Sequence, residues 1–99
     1  MVYKIVLKQR FRNKLEQTLQ YIEGEFGLII SRKFADEVAK KFATLQQQPF
    51  IGRTSATLPW IKSIPAGKQN RIYYRIERDK IIVLNMYDTR INPKRNRLE

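Results

Sequence analysis

From Arg71 to Ile76, the apolar-side residues Ile72, Tyr74 and Ile76 alternate with Arg71, Tyr73 and Arg75. A period of two sends successive side chains to opposite faces, so this stretch predicts a strand with one greasy face and one cationic-aromatic face. Charged residues break the run at Arg78-Asp79 and predict a tight turn. Beyond it both alternating sets are apolar, Ile81 and Val83 on one side and Ile82, Leu84 and Met86 on the other. That pattern predicts an inner strand, covered on both faces and lying at the centre of the sheet. It runs out at Tyr87-Asp88-Thr89-Arg90, where hydroxyl, carboxylate and guanidinium groups gather at a sheet terminus.

The rest of the chain supplies what packs on that sheet. Val2 to Leu7 has strand composition, with Val2, Ile5 and Leu7 apolar. From Phe11 the period changes, and Phe11, Leu15, Leu19, Ile22 and Phe26 recur at helical spacing with polar residues between them. Gly24 and Gly27 bracket the predicted helix end. A second stripe, Ile30, Phe34, Val38, Phe42 and Leu45 with Ala35 and Ala39 beside it, continues toward Pro49. Stripes at this spacing usually face a core, so these residues are expected to pack, not to act. Residues 46–60 carry two Pro, a Gly and several Ser/Thr and read as a connection without regular structure, with the apolar side chains of Pro49-Phe50-Ile51 anchoring it to the body. Trp60 to Ile64 reads as a further strand that Pro65-Ala66-Gly67 bulges or ends. The expected fold is α+β in the order β-α-α-β-β-β. A strand and a two-helix hairpin precede a three-stranded antiparallel meander, and both helices pack on one sheet face.

Composition narrows the chemistry. Ninety-nine residues, 42% of them hydrophobic, fit a single domain over 1–99 with a packed core. No Cys and no His are present, which removes disulfides, thiolate metal sites and the usual neutral-pH proton carrier. No run reaches the roughly 20 apolar residues of a membrane helix, and the first ten residues lack the apolar segment of a signal peptide. A cytoplasmic location is the expectation. The net charge is +11, and no acid falls between Glu37 and Glu77, an interval that holds Lys40, Lys41, Arg53, Lys62, Lys68, Arg71 and Arg75. Such a block points to a polyanionic or acidic partner, nucleic acid or protein.

Several local patterns, in this order and spacing, resemble the RelE/ParE superfamily of bacterial type II toxins. They are Tyr21-Ile22-Glu23 with Phe26-Gly27, Phe34-Ala35, Leu45 followed by Pro49-Phe50-Ile51-Gly52-Arg53, Arg71-Ile72-Tyr73-Tyr74-Arg75-Ile76, and Ile81-Ile82-Val83-Leu84 leading to Asp88-Thr89-Arg90-Ile91-Asn92-Pro93. The Pro-x-x-Gly-Arg turn and the Arg-x-Asn-Pro exit are most similar to the ParE-like, plasmid-stabilisation branch. The resemblance implies a growth-inhibiting toxin, neutralised by a cognate antitoxin whose acidic, partly disordered segment folds across the toxin. ParE-like members are thought to poison DNA gyrase by binding, whereas RelE-like members cleave messenger RNA in the ribosome.

For the nuclease alternative, the resemblance maps phosphate-binding cations onto Arg71, Arg90 and Lys62, and Tyr87 or Asp88 would have to serve as acid or base. RNA cleavage needs both proton-transfer roles and cations on the phosphate. The absence of His, and of any Tyr after Arg90, argues against that chemistry. For the binding reading the candidates are Arg53, Tyr73, Arg75, Tyr87 and Arg90, set around an apolar sheet surface left open on the side away from the helices. A non-toxic nucleic-acid-binding module, with Tyr stacking on bases between Arg residues, is the third reading. None of the three calls for a metal or a cofactor.

Overall fold

The computed structural model describes residues 2–90. In chain order the elements are β1 (Lys4–Leu7), α1 (Gln9–Phe26), α2 (Leu28–Gln47), β2 (Arg53–Thr54), β3 (Ile61–Ala66), β4 (Asn70–Glu77) and β5 (Lys80–Asp88). The strands form one sheet in the order β1-β5-β4-β3-β2. Strand β1 runs parallel to β5, and every other neighbouring pair is antiparallel. The α+β class and the element order are those expected, with the two-residue β2 added inside the segment read as irregular. The strand at the very middle is β4; β5 lies beside it, between β4 and β1.

Helices α1 and α2 turn back on each other at Gly27, whose φ of 95° belongs to the left-handed side that Gly adopts without strain. The buried Ser31 hydroxyl donates to Leu19 O at 3.0 Å and ties the two helices together one turn below that tip. Their inner stripes cover one face of the sheet. Phe11, Val38 and Leu45 from the helices meet Ile64, Ala66, Ile72, Tyr74, Ile81, Val83 and Met86 from the strands. Phe11 packs edge-on to Phe42 with ring centroids 5.6 Å apart. The stripes bury less of themselves than their spacing suggested, because near the tip a cleft separates the hairpin from the end of the sheet: Phe26 and Ile30 stay 64% and 43% exposed.

A register shift explains where the alternation of β5 misled. Tyr73 pairs with Asn85, yet the next residue, Tyr74, pairs with Val83, so Leu84 is an extra residue in β5. Ile82 and Leu84 point away from the helices, and past the bulge the parity reverses. Met86, expected beside Leu84, therefore joins the helix-side core. The far face is also less open than the alternation implied. Ile61, Ile82 and Leu84 form a second small cluster there, roofed by Leu58 and Tyr73.

The connection after α2 is fastened differently from expectation. Phe50 and Ile51 are exposed, and the buried anchor is Pro49, whose carbonyl accepts the Tyr74 hydroxyl at 2.8 Å while Gly52 N donates to the same Tyr74 oxygen at 3.1 Å. At the other end of the sheet the β3–β4 turn is held by Gly67, whose amide donates to the Glu37 carboxylate of α2.

Candidate functional site

Strand registry decides which candidate side chains can act together. On the far face, cross-strand pairing sets Arg53 beside Ser63, Ser63 beside Tyr73, and Tyr73 beside Asn85. The next row holds Pro65, Arg71 and Tyr87. Arg71 reaches diagonally to Ser63, donating from Nε to Oγ at 3.0 Å and from Nη2 to the carbonyl at 3.1 Å. Tyr73 and Tyr87 pack edge to face with centroids 5.8 Å apart, and Asn85 Nδ2 donates to Tyr87 Oη at 3.1 Å. The result is a shelf of two guanidinium groups flanking Ser63 with two phenol rings beside them.

The electrostatics of the shelf are those of a site lacking its counter-charge. Arg71 is held below the ordinary arginine pKa, first by partial burial and then by the charge of Arg53, although it remains a cation. Among the described residues neither Arg53 nor Arg71 has a carboxylate partner. Further along the same face, Arg75 is bound to Glu77, and that hydrogen bond holds the Glu77 carboxyl below its usual range. An incoming carboxylate or phosphate would relieve the Arg53–Arg71 repulsion, and the fork of a guanidinium suits either.

Asp88 and Arg90 lie elsewhere. Past the bulge Asp88 shares its side of the sheet with Met86, and with Arg90 it lines a cleft of about 580 Å³ between the helical hairpin and the β3–β4 turn. Tyr21, Ile22, Phe26, Ile30 and Phe34 give that cleft its apolar wall, and Lys14 and Lys68 also line it. Arg90 grips Asp88 from Nη2 at 2.7 Å and Nε at 3.1 Å, and its backbone amide donates to the same carboxylate. These bonds, the side-chain one foremost, depress the Asp88 pKa and raise that of Arg90. The guanidinium is oriented but still two-thirds exposed, at 67%.

Lys62 sits on the helix side as well, paired across the strands with Tyr74 and donating from Nζ to Thr54 Oγ1 at 3.1 Å. The five candidates for RNA cleavage are thus divided, with Arg71 and Tyr87 on one face and Lys62, Asp88 and Arg90 on the other. No position exists where one phosphate could meet all three cations. Of the binding candidates, Arg53, Tyr73 and Tyr87 come together, Arg75 flanks them in a bond to Glu77, and Arg90 is separate. Ser63 and Asn85 belong to the shelf but carried no signal in the sequence, since a lone Ser or Asn in a strand has many explanations. The Asn92 and Pro93 of the proposed exit motif lie outside the described residues. Among the described residues no three His, Cys, Asp or Glu side chains gather where they could hold a metal, and no helix is long and apolar enough to cross a membrane.

A family model described as the ParE toxin of the type II toxin-antitoxin system parDE matches residues 5–93. Curated protein sequences give no match. Among solved structures, the chain is similar to one from the chromosomal ParDE toxin-antitoxin system of P. aeruginosa, with TM-score 0.76 and 14% identity over 88% of this chain and 96% of that one. It is also similar to a chain of a RelBE toxin-antitoxin complex from Mycobacterium tuberculosis, with TM-score 0.60 and 21% identity over 89% and 99%. At these identities the two structures share the fold with this chain.

Proposed function

The chain belongs to the ParE toxins of type II toxin-antitoxin systems, and from that premise we propose that it arrests growth by binding an essential target, DNA gyrase in the first instance, and not by cutting RNA. The observation that carries this reading is the division of the cleavage candidates between two sheet faces, with no His in the chain to move a proton. Catalysis of phosphoryl transfer is mostly a matter of positioning, and cations on opposite faces position nothing. Binding has no such requirement.

In this reading the antitoxin presents an acidic segment to the Arg53–Arg71 shelf. Its carboxylates supply the missing counter-charge, and its apolar side chains rest on Tyr73 and Tyr87. The original expectation of an open apolar floor on this face gives way here, because Ile82 and Leu84 are already covered by Leu58 and Tyr73. Recognition on the shelf is therefore mostly electrostatic. Arg90, held outward by Asp88 at the mouth of the cleft, is assigned to the target. Maintenance of a plasmid and action in the cytoplasm complete the reading.

The test is induction in a bacterial host, with and without the neighbouring open reading frame. Growth arrest relieved by a small acidic partner is expected, together with loss of gyrase supercoiling activity in extracts. Arg90→Ala should abolish the arrest while lowering the melting temperature by no more than a few degrees, since an exposed ion pair contributes about 0–1 kcal/mol. Normal growth on induction would remove the toxin role for this chain, and messages cut at mapped sites would replace binding with cleavage.

A further inference from the structure

The hairpin tip combines two properties found nowhere else among the described residues. It exposes five large apolar side chains, Tyr21 (62%), Phe26 (64%), Leu28 (48%), Ile29 (72%) and Ile30 (43%). A contiguous apolar surface of this kind on a small domain usually marks a contact. Its charged rim is also balanced: Glu23 and Glu25 end α1, and Arg32 and Lys33 follow just inside α2, all four exposed. In a chain of net charge +11 these four rim charges cancel, and the surplus of bases near the tip lies on its cleft side, with Lys14, Lys68 and Arg90.

We infer that the tip is a self-association surface through which two copies of this chain pack hairpin to hairpin about a two-fold axis. An isologous contact requires a patch complementary to itself, and this one places acids on one helix and bases on the other. The two-fold sets Glu23 and Glu25 of each copy against Arg32 and Lys33 of its partner, around the apolar centre. Helix polarity favours the same exchange. The last turn of α1 has no base and the first turn of α2 no acid, so each helix end lacks compensation that the partner's rim provides. Elsewhere two strongly cationic chains repel each other. An acidic segment or a nucleic acid fits the tip poorly, because Glu23 and Glu25 oppose it. The tip stands clear of the shelf, so self-association leaves the shelf free, whereas Tyr21, Phe26 and Ile30 also wall the cleft that carries Arg90 and are shared with it.

Sedimentation of the purified full chain tests this. The weight-average mass should rise with concentration toward two chains and no further, because a closed two-fold contact leaves no free patch. Ile29→Asp should weaken association at least tenfold, with helical content unchanged. The paired reversals E23K/E25K and R32E/K33E should each be monomeric alone, since every rim then carries one sign. Mixed in equal amounts they should form a heterodimer. A single-chain mass at all concentrations, growth beyond the dimer, reversed variants that dimerise as well as the original, or a mixture that stays monomeric would each overturn the proposal.

Discussion

Tyr74 gives the motif from Pro49 to Arg53 its physical sense. The side chain crosses the core from β4 and ends against the turn, where its hydroxyl accepts from Gly52 N and donates to Pro49 O. Burial raises the phenol pKa, so the donor proton is retained at any ordinary pH. A Cβ at position 52 would lie inside contact distance of that hydroxyl and 3.0 Å from Tyr74 Cε1 and Cζ. Gly52 is thus required by close approach, and the turn it permits delivers Arg53 to the shelf. Gly52→Ala should cost about 1–3 kcal/mol by overpacking, and Tyr74→Phe about 1–3 kcal/mol by stranding two backbone groups. The double variant, having no hydroxyl to strike, should lose less than the sum in urea unfolding; strict additivity would show that the two residues do not meet. Asp88 carries a second expectation at this scale. Its pKa is depressed in the folded chain by Arg90, so the unfolded chain binds the proton more readily, near pH 3.9. The resulting stability is complete above that value and is lost as pH falls through the folded one. Asp88→Asn should therefore lose stability less steeply than the original chain below about pH 4, although Glu77 with Arg75 keeps some dependence in place. An unchanged acid limb would mean that the ion pair does not persist in solution.

Among the elements, the helices and the long strands were legible because their periods are long and uninterrupted. The stripe from Ile30 to Leu45 and the alternation from Arg71 to Ile76 specify their own geometry. What escaped was set by tertiary context. Ile81 to Leu84 suit a regular strand and one with an extra residue equally, because apolar residues fit either face; the one hint is Asn85, polar where the Ile81/Val83 side would continue into the core. That single insertion exchanges the faces of the last two residues, sending Asp88 to the helix side and bringing Tyr87 beside Tyr73 on the far face. Strand β2 escaped because a two-residue strand has no period; it exists because Arg53 and Thr54 pair with Ser63 and Lys62. The tip escaped for the opposite reason. Phe26 and Ile30 continue their stripes faithfully, and only the cleft between the hairpin and the β3–β4 turn leaves them uncovered. A stripe records which way a side chain points and says nothing about what waits there.

At the scale of the whole molecule the charge map separates two kinds of association. Five of the nine acids, Glu16, Glu23, Glu25, Asp36 and Glu37, lie on the helical hairpin, while the far face carries Arg53, Arg71 and Arg75 and, among the described residues, the acid Glu77. The field of the chain therefore draws an acidic partner toward the shelf and opposes a second copy at every approach, even one aimed at the tip. Salt acts on these two in opposite directions. Between about 0.1 M and about 1 M the screening length shrinks from about 10 Å to about 3 Å. Antitoxin association, steered by the field, should slow markedly over that range in stopped-flow mixing. Self-association should strengthen in sedimentation, because screening removes repulsion between two chains of +11 while the apolar centre of the contact is untouched. The four rim residues pull the other way, but exposed ion pairs are worth little individually and cannot outweigh the repulsion of the whole. A dimer that dissociates as salt rises would show that attraction across the rim exceeds the repulsion between the whole chains, and an antitoxin on-rate indifferent to salt would take the Arg53–Arg71 shelf out of the encounter.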